Sequence, residues 1–281
     1  MSEFYALEDD GFVLKITISP IDFLKLHEEV IGHLLARVIS SMRRHESQLD
    51  PVIIDGKTGI VLDGMHRVIA ARELGLDKMM TCEVDYLHPN VKVKRWIRGV
   101  RGGSALLEDL KVRLHLTKVG SVDEAIMMVD ERKASASLLT LRHPLISTIP
   151  YTGLTSVFSL VNSFDRLISL NSFHYEGFRE EEISLLLRTG YFLLYVPVPS
   201  KEDVLRSGLS GKLFPPKYTR HIIPARPTGI SFPLEFLKPY KSLKEARKRL
   251  VMLLSGKDRK VLPPNSLYMG RIYEEKLYVF H

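Results

Sequence analysis

The stretch 51–67 constrains this chain more than any other part of its sequence. Two short apolar runs, 52–54 and 60–62, flank a Gly-Lys-Thr-Gly turn, a pattern typical of a β-hairpin. A helical pattern follows, and Gly75 is placed as the C-terminal cap of that helix. The segment 63–67, Asp-Gly-Met-His-Arg, therefore lies where a strand gives way to a helix.

This junction has the chemistry of an anion site. The first N–H groups of a helix have no intrahelical acceptor, and the helix dipole favours negative charge there. Gly64 allows an anion to approach the backbone, and His66 and Arg67 add side-chain donors. Spacing alone leaves two interpretations open: a phosphate site, or an ordinary strand–turn–helix whose His and Arg are solvated.

Composition narrows the class of protein. A chain of 281 residues with 45% apolar residues can bury a core and is long enough for two domains. No apolar run could span a bilayer, no signal peptide is visible, and Cys82 is the only cysteine, which favours a cytoplasmic protein. The net charge of +7 indicates an anionic partner or a solvated basic surface, without demanding nucleic acid.

A second informative stretch spans 211–227. Its four prolines favour an extended, stiff course, and its side-chain donors are Lys217, Thr219, Arg220, His221 and Arg226. Ordering such a loop is costly unless it holds a ligand, so it is either a binding loop or a rigid surface linker.

Candidate residues also lie on the predicted elements of the N-terminal half. A strand is predicted over 12–18, and a helix begins at Ile31, with an apolar face formed by Ile31, Leu34, Leu35, Val38, Ile39 and Met42. Glu28 and Glu29 stand just before this helix or in its first turn, where they either complement its dipole or supply a general base. Trp96 ends a strand predicted over 91–97.

The glycine-rich, basic stretch 98–104 is interpreted as a domain boundary. Beyond it, helices are predicted over 121–131, 154–170, 180–188 and 201–206, with strands over 135–141 and 191–196. The last forty residues begin with a capped helix that ends at Gly256, followed by a predicted hairpin of 267–272 with 277–280. One interpretation of this C-terminal region is a docking or dimerisation element. The sequence therefore predicts either a monomer or a dimer.

Two motifs resemble a known family. The Asp-Gly-x-His-Arg turn with its Ala-rich helix ending in Leu-Gly resembles the ParB/sulfiredoxin-like superfamily. Together with the run Leu-Phe-Pro-Pro-Lys-x-Thr-Arg-His at 213–221, it is similar to the archaeal free serine kinases (SerK). The family's turn is usually Asp-Gly-His-His-Arg, and Met65 departs from that pattern. The resemblance covers roughly residues 12–240 and is strong at the two motifs.

The resemblance implies an α/β (α+β) protein with three regions. Residues 1–100 would form a ParB/sulfiredoxin-like nucleotide-binding domain, 101–240 a second α/β domain carrying the substrate loop, and 241–281 a C-terminal extension. The implied enzyme uses Mg²⁺ and transfers a phosphoryl group from ATP or ADP to the hydroxyl of a free amino acid. L-serine is the expected acceptor, and O-phospho-L-serine for cysteine biosynthesis the expected product.

The resemblance also assigns roles to residues. Nucleotide phosphates would lie on Asp63, Gly64, Met65, His66 and Arg67. As a carboxylate beside these phosphates, Asp63 is expected to bind Mg²⁺, directly or through water. Glu28 would be the catalytic base, with Glu29 as its alternative, and Asp63 and His66 would assist. The residues expected to contact the amino acid are Glu29, Trp96, Lys217, Thr219, Arg220 and His221.

Three rival interpretations come from the same superfamily. A ParB-like nucleotide-dependent module would bind nucleic acid, but the run 213–221 has no place in it, and no clear recognition-helix pair is predicted. A kinase of a related alcohol such as L-threonine would share the machinery. Sulfiredoxin-like chemistry needs a cysteine in the phosphate turn, where Met65 and His66 stand instead. The expected partners are therefore a nucleotide and a small molecule, without nucleic acid or membrane.

Overall fold

The computed structural model describes residues 3–171 and 176–281. Its α-helices, in chain order, are α1 (Gly32–His45), α2 (Met65–Glu73), α3 (Ser104–Arg113), α4 (Val122–Asp130), α5 (Leu154–Leu170), α6 (Ile183–Arg188), α7 (Lys201–Ser210) and α8 (Leu243–Ser255). In these two ranges no helix combines the length and the apolar character needed to cross a membrane.

The strands are short and occur along the whole chain. In chain order they are β1 (Tyr5–Asp9), β2 (Phe12–Pro20), β3 (Ser47–Gln48), β4 (Val52–Asp55), β5 (Val61–Asp63), β6 (Lys78–Val84), β7 (Lys92–Arg95), β8 (Ile97–Arg101), β9 (Leu116–Lys118), β10 (Ser137–Leu139), β11 (Leu145–Ser147), β12 (Glu176–Phe178), β13 (Tyr191–Tyr195), β14 (Thr219–Ile222), β15 (Ala225–Thr228), β16 (Phe232–Pro233), β17 (Arg259–Leu262), β18 (Ser266–Tyr268), β19 (Arg271–Tyr273) and β20 (Lys276–Phe280). The mixed α/β character expected from the sequence is confirmed.

The chain divides into two compact units that are not contiguous in sequence. Unit 1 comprises 1–92, 201–216 and 221–281, and unit 2 comprises 93–200 and 217–220. This division differs from the predicted regions 1–100, 101–240 and 241–281. The glycine-rich stretch 98–104, predicted as a break, is mostly β8 followed by the start of α3, because Gly99 lies within a paired strand, where Phe178 and Leu193 leave no room for a Cβ.

Unit 1 is built on a five-stranded sheet in the order β1-β2-β6-β4-β5. The predicted hairpin is confirmed as β4 and β5, in which Ile53 pairs with Asp63. Helix α2 then connects β5 to β6, which runs parallel to β4 with Val52 opposite Thr81. Because β4 and β6 are buried over nearly all of their length, the end of β5 and the start of α2 are held by the core.

The C-terminal region belongs to unit 1. The predicted pairing of 267–272 with 277–280 is wrong. The hairpin is β18 with β19, whereas β20 pairs in parallel with β15 and antiparallel with β17. Met269 and Gly270 both have positive φ, at 47° and 77°, which suits a two-residue turn and closes the hairpin before β20 begins. Strand β20 is almost entirely buried, so it joins the core.

Unit 2 contains a six-stranded sheet in the order β12-β8-β13-β10-β11-β9. Helix α5 has the predicted bounds, and its predicted core face is buried: Val157, Leu160, Val161, Phe164, Leu167 and Ile168. Helix α4 begins at its predicted cap, where the Ser121 hydroxyl accepts a hydrogen bond from the Glu124 N–H.

One helix in unit 1 is longer than predicted. Helix α7 continues past Gly208 to Ser210 and is followed by Gly211, whose φ is 71°. Gly208 is an interior residue of this helix because a Cβ there would lie 2.8 Å from the side chain of Ile60. Close packing, rather than helix termination, therefore explains the glycine at this position.

Candidate functional site

The turn between β5 and α2 has the geometry expected of an anion site. Gly64 precedes α2 with a φ of 103°, a conformation that favours glycine. The carbonyl of Gly64 accepts hydrogen bonds from the N–H groups of Arg67 and Val68. The Arg67 side chain folds back over Gly64, because a Cβ at Gly64 would lie 2.8 Å from its Nη2 atom. The positive end of the α2 dipole and the Arg67 guanidinium therefore coincide at this turn.

Asp63 lies between two arginines. Its Oδ2 atom accepts hydrogen bonds from Arg226 Nη1 at 2.6 Å and from Arg67 Nη2 at 3.2 Å. Burial alone would raise the pKa of Asp63, but the charges of Arg226 and Arg67 hold it well below its usual range. The carboxyl is therefore ionised throughout the physiological range.

Arg226 connects this turn to the C-terminal region. Its Nη2 atom donates to Glu275 Oε1 at 3.0 Å, and both side chains are buried. The guanidinium thus lies between two carboxylates, Asp63 and Glu275. Removing either acid would leave a buried charge with one partner fewer, which is costly in a low-dielectric interior.

A cavity of about 480 Å³ opens beside this turn, within unit 1. Gly64 and His66 line it, and its charged lining consists of four guanidinium groups and two carboxylates: Arg37, Arg67, Arg226, Arg271, Asp50 and Asp63. The volume is in the range of small-molecule sites, and the excess of positive charge suits a polyanion.

Part of the cavity wall is apolar and comes from α1. Leu34, Val38 and Met42 line the cavity, and Leu34 and Val38 are only half-buried. The predicted apolar face of α1 therefore lines part of the cavity. An apolar surface next to several arginine side chains suits a nucleotide, because the faces of its base are apolar and its phosphates are charged.

The segment 27–29 is held in an extended conformation by the proline-rich run. The Phe214 N–H donates to the His27 carbonyl at 2.8 Å, and the Glu29 N–H donates to the Phe214 carbonyl at 2.9 Å. The Ser207 hydroxyl also donates to the His27 carbonyl. Within unit 1, this pairing fixes the backbone of Glu28.

Both glutamates lie just before α1 rather than in its first turn. Ile31 caps that helix, and its first turn contains no acidic residue. Glu28 is buried, with 5% of its surface exposed, whereas Glu29 is exposed. The burial of Glu28 favours the general-base interpretation, because a buried acid at a fixed position suits proton transfer better than a solvated one. Glu28 lies outside the lining of the cavity.

His66 links the segment 27–31 to the turn between β5 and α2. Its Nε2 atom accepts a hydrogen bond from the Ile31 N–H at 3.0 Å. Ile31 follows Glu28 by three residues, and His66 follows Asp63 by three. The two predicted catalytic segments are thus joined by one imidazole.

His221 belongs to a buried aromatic cluster in unit 1. Its Nε2 atom lies 3.0 Å from the Tyr86 hydroxyl, and its ring packs edge-on against His27 at 5.3 Å. Burial and the neighbouring His27 lower the pKa of His221, and burial lowers the pKa of His27 to about 4. Both rings are therefore neutral at physiological pH. The contact between His221 and the amino acid stays a prediction.

The other predicted substrate residues lie in unit 2. The Arg220 guanidinium is 5.4 Å from the centre of the Trp96 ring, a cation–π distance, and its Nη2 atom is 3.9 Å from Glu181 Oε2. Lys217 has a φ of 51°, and its side chain and Trp96 both border Gly177. Thr219 is buried on β14. Trp96 itself interrupts the predicted strand, because it lies between β7 and β8.

Several residues around the cavity have no predicted role. Arg226 stood in the proline-rich run as one donor among five. Asp50, two residues before the first apolar run, accepts hydrogen bonds from the Thr228 hydroxyl and the Gly229 N–H. Glu275 and Arg271 carry no local sequence signal. Arg271 reaches the cavity through the β18–β19 hairpin, and Glu275 reaches Arg226 through the pairing of β20 with β15.

No family model matches the sequence. An ATP-dependent L-serine kinase from Staphylothermus marinus is 26% identical in an alignment of 226 residues that covers 78% of this chain and 89% of the relative. An ADP-dependent L-serine kinase, SerK, from Thermococcus kodakarensis is 22% identical, over 77% of this chain and 90% of its own length. A structure of a free serine kinase variant in complex with ADP has a TM-score of 0.67, with 22% identity, and covers 79% of this chain and 93% of its own. The predicted resemblance to free serine kinases is confirmed in sequence and in fold.

Proposed function

We propose that this protein is a phosphotransferase that moves the terminal phosphoryl group of ATP or ADP to the hydroxyl of free L-serine. The observation that carries the proposal is the cavity at the Asp63–Arg67 turn, where a helix start and four guanidinium groups face one volume of nucleotide size. The similarity to L-serine kinases over more than three quarters of the chain supports the choice of acceptor.

The nucleotide phosphates would lie at the start of α2. Backbone N–H groups of the turn, Met65 among them, and the Arg67 guanidinium would donate hydrogen bonds to phosphate oxygens. Asp63 would keep Arg67 and Arg226 in place through its short ion pairs. The half-buried apolar face of α1 would cover the base.

The residues present fit a Mg²⁺ ion carried by the nucleotide rather than a resident metal. Within residues 3–171 and 176–281 no cluster of three or more His, Cys, Asp or Glu side chains could hold an ion. Mg²⁺ is commonly bound by one or two carboxylates together with phosphate oxygens and waters. We propose Asp63 as that carboxylate, directly or through water. Bound there, the ion would offset charge on the phosphates.

Glu28 would act as the general base. As the serine oxygen attacks the terminal phosphorus, a new O–P bond forms, and the bond between that phosphorus and the bridging oxygen breaks. The hydroxyl proton passes to the Glu28 carboxylate, and the leaving group is ADP from ATP, or AMP from ADP. Pairing of the neighbouring backbone with Phe214 would hold Glu28 in position for this step.

Recognition of the amino acid is proposed for residues of the proline-rich run and for Trp96. We propose that Lys217, Thr219 and Arg220 hold the carboxylate of serine or the moving phosphoryl group, with Trp96 as an apolar wall. The stacking of Arg220 on Trp96 supports this role, because it orients a guanidinium that can bind a carboxylate in bidentate fashion. Glu29, His221 and Met65 keep their predicted contacts as part of the same proposal.

The setting of the reaction is proposed from the sequence. O-phospho-L-serine would serve cysteine biosynthesis, and the reaction would take place in the cytoplasm. Cys82 supports a reducing compartment, since it is a free, buried thiol.

The test is a product assay with a donor and acceptor panel. The protein is incubated with Mg²⁺, either ATP or ADP, and one acceptor from L-serine, D-serine, L-threonine, L-homoserine and glycerol, and products are identified by mass spectrometry. We expect O-phospho-L-serine as the main product. Phosphorylation of L-threonine alone would transfer the proposal to that acceptor, and no phosphorylated product with either donor would overturn it.

A further inference from the structure

We propose that Arg271, on the C-terminal β18–β19 hairpin, is a ligand of the phosphate groups of the donor nucleotide. The inference rests on the nucleotide cavity of the proposed function and adds to it a residue from a region in which the sequence shows no chemistry.

The position of Arg271 is defined by a tight hairpin. Strands β18 and β19 pair with Tyr268 opposite Arg271, and only Met269 and Gly270 connect them. The Asn265 N–H donates to the Tyr273 carbonyl at 2.7 Å and closes the base of the hairpin. A two-residue connection leaves little freedom to the first residue of the second strand, so Arg271 is presented from a fixed backbone.

Arg271 faces the same volume as the phosphate turn. It lines the cavity together with Asp63, Gly64 and Arg67, and Tyr273 from the same strand lines it as well. The Arg271 guanidinium lies 4.7 Å from the centre of the Tyr273 ring, so the ring supports the side chain. The Arg271 charge also contributes to lowering the pKa of Asp63, which agrees with its closeness to the turn.

The charge of Arg271 is available to an anion, whereas those of Arg67 and Arg226 are partly used. Arg67 pairs with Asp63, and Arg226 pairs with both Asp63 and Glu275. Among the residues that the structure describes, Arg271 forms no ion pair with a carboxylate, and it is exposed. A phosphate in the cavity would therefore meet in Arg271 a cation that no acid already neutralises.

The alternative is that Arg271 is a solvated side chain stacked on Tyr273 and contributes nothing to binding. The two cases differ in their ligand dependence. If Arg271 binds phosphate, its removal weakens binding more for ligands that carry more phosphate groups and leaves the affinity for adenosine unchanged. If Arg271 is only solvated, its removal changes neither affinity.

The experiment compares Arg271→Ala with wild type by calorimetric titration of ATP, ADP, pyrophosphate and adenosine, without serine. The matched control is Arg259→Ala, which removes another exposed arginine of the C-terminal region, one that stacks on Tyr278 and lies outside the cavity. We expect roughly 10- to 100-fold weaker binding of ATP and ADP to Arg271→Ala, because a charged hydrogen bond is lost. Arg271→Ala should bind adenosine with wild-type affinity, and Arg259→Ala should bind all four ligands with wild-type affinity. Arg271→Lys should recover part of the loss, since it restores the charge but not the planar fork.

Unchanged ATP and ADP affinities in Arg271→Ala would overturn the inference, and so would an equal loss for adenosine. The inference would also be overturned if the wild-type protein bound none of the nucleotides. The proposed function is tested separately by the product assay. A wild type that binds ATP but forms no phosphorylated amino acid would refute that function and leave the phosphate contact of Arg271 standing.

Discussion

The Nε2 atom of His66 accepts a hydrogen bond from the backbone N–H of Ile31 at 3.0 Å, and this contact joins the two segments on which the proposed chemistry depends. An accepting Nε2 means that a neutral ring carries its proton on Nδ1. The imidazole therefore caps the start of α1, three residues after Glu28, while its own backbone belongs to the first turn of α2. Precise placement of a base relative to a phosphate is worth large factors in rate.

The first prediction concerns this cap. His66→Ala leaves the Ile31 N–H without its acceptor, so we expect the free energy of unfolding to fall by about 1 kcal/mol and kcat by roughly 10- to 100-fold. His66→Gln can still offer an acceptor oxygen and should retain more activity than His66→Ala. The measurement is steady-state kinetics together with urea unfolding. His33→Ala, which removes an exposed histidine of α1, serves as the control and should behave as wild type. Equal kcat for His66→Ala and wild type would refute the linking role.

The second prediction separates the two adjacent glutamates. Glu28→Gln should keep nucleotide affinity and lose on the order of 100- to 10,000-fold in kcat, because removal of a general base leaves the hydroxyl proton without an acceptor. Glu29→Gln, at an exposed position, should stay within a few-fold of wild type. Nucleotide binding and turnover are measured on the same preparations. An inactive Glu29→Gln beside an active Glu28→Gln would shift the base by one residue. Full activity in both variants would rule out a base in this segment.

The sequence predicted the parts of the site that local signals specify. The hairpin, the Gly64 turn and α2 follow from a turn motif, a glycine and helical periodicity within 25 residues, and the structure has all three. The bounds of α5 and its buried face were also predictable, because its apolar residues repeat at helical spacing over 17 positions.

The partners of that turn could not be predicted, because they come from distant pairing. Arg226 reaches Asp63 across 163 residues, and Glu275 reaches Arg226 through the parallel pairing of β15 with β20. No spacing rule connects such positions. The extended backbone at Glu28 and Glu29 was unpredictable for a related reason, since it is fixed by Phe214, far along the chain.

The third prediction concerns acid stability at Asp63. The pKa of Asp63 is depressed in the folded state, so its contribution is present above the unfolded value of about 4 and is lost as pH falls below it. Asp63→Asn should lower the free energy of unfolding by about 1.5 to 3 kcal/mol at pH 7, through loss of charged hydrogen bonds, and by less at pH 3. Urea unfolding at both values measures this. An equal effect at pH 7 and pH 3 would contradict it.

The fourth prediction concerns the buried histidines between pH 7 and pH 4. The folded state holds the pKa of His27 at about 4, below its ordinary value of 6.5, because burial penalises the charged ring. As pH falls, the His27 ring takes up its proton at a higher pH in the unfolded chain than in the folded protein. The free energy of unfolding therefore decreases between pH 6.5 and pH 4, by roughly 3 kcal/mol for His27. His27→Gln should flatten the pH profile of the free energy of unfolding over this range. An identical slope in wild type and His27→Gln would exclude His27 as its source.

The fifth prediction addresses the ParB-like alternative. The net charge of +7 supports sequence-independent attraction to DNA, which weakens steeply with salt. We expect fluorescence anisotropy with labelled duplexes to show weak binding at 50 mM salt that disappears by 200 mM, with no preference among sequences. Tight, sequence-selective binding at physiological salt, with or without nucleotide, would favour a nucleic-acid-binding module over the kinase.

In the proposed reaction the serine hydroxyl attacks phosphorus, and an isotope label in that hydroxyl follows this step. L-serine labelled with ¹⁸O in its hydroxyl is incubated with the protein, Mg²⁺ and unlabelled ATP, with ADP in a parallel reaction. The product is analysed by ³¹P NMR and mass spectrometry. We expect wild type to form O-phospho-L-serine with the ¹⁸O retained in the bridge between carbon and phosphorus, and Glu28→Gln to form almost none. Loss of the label from the product, or no phosphoserine with either donor, would contradict the proposed reaction.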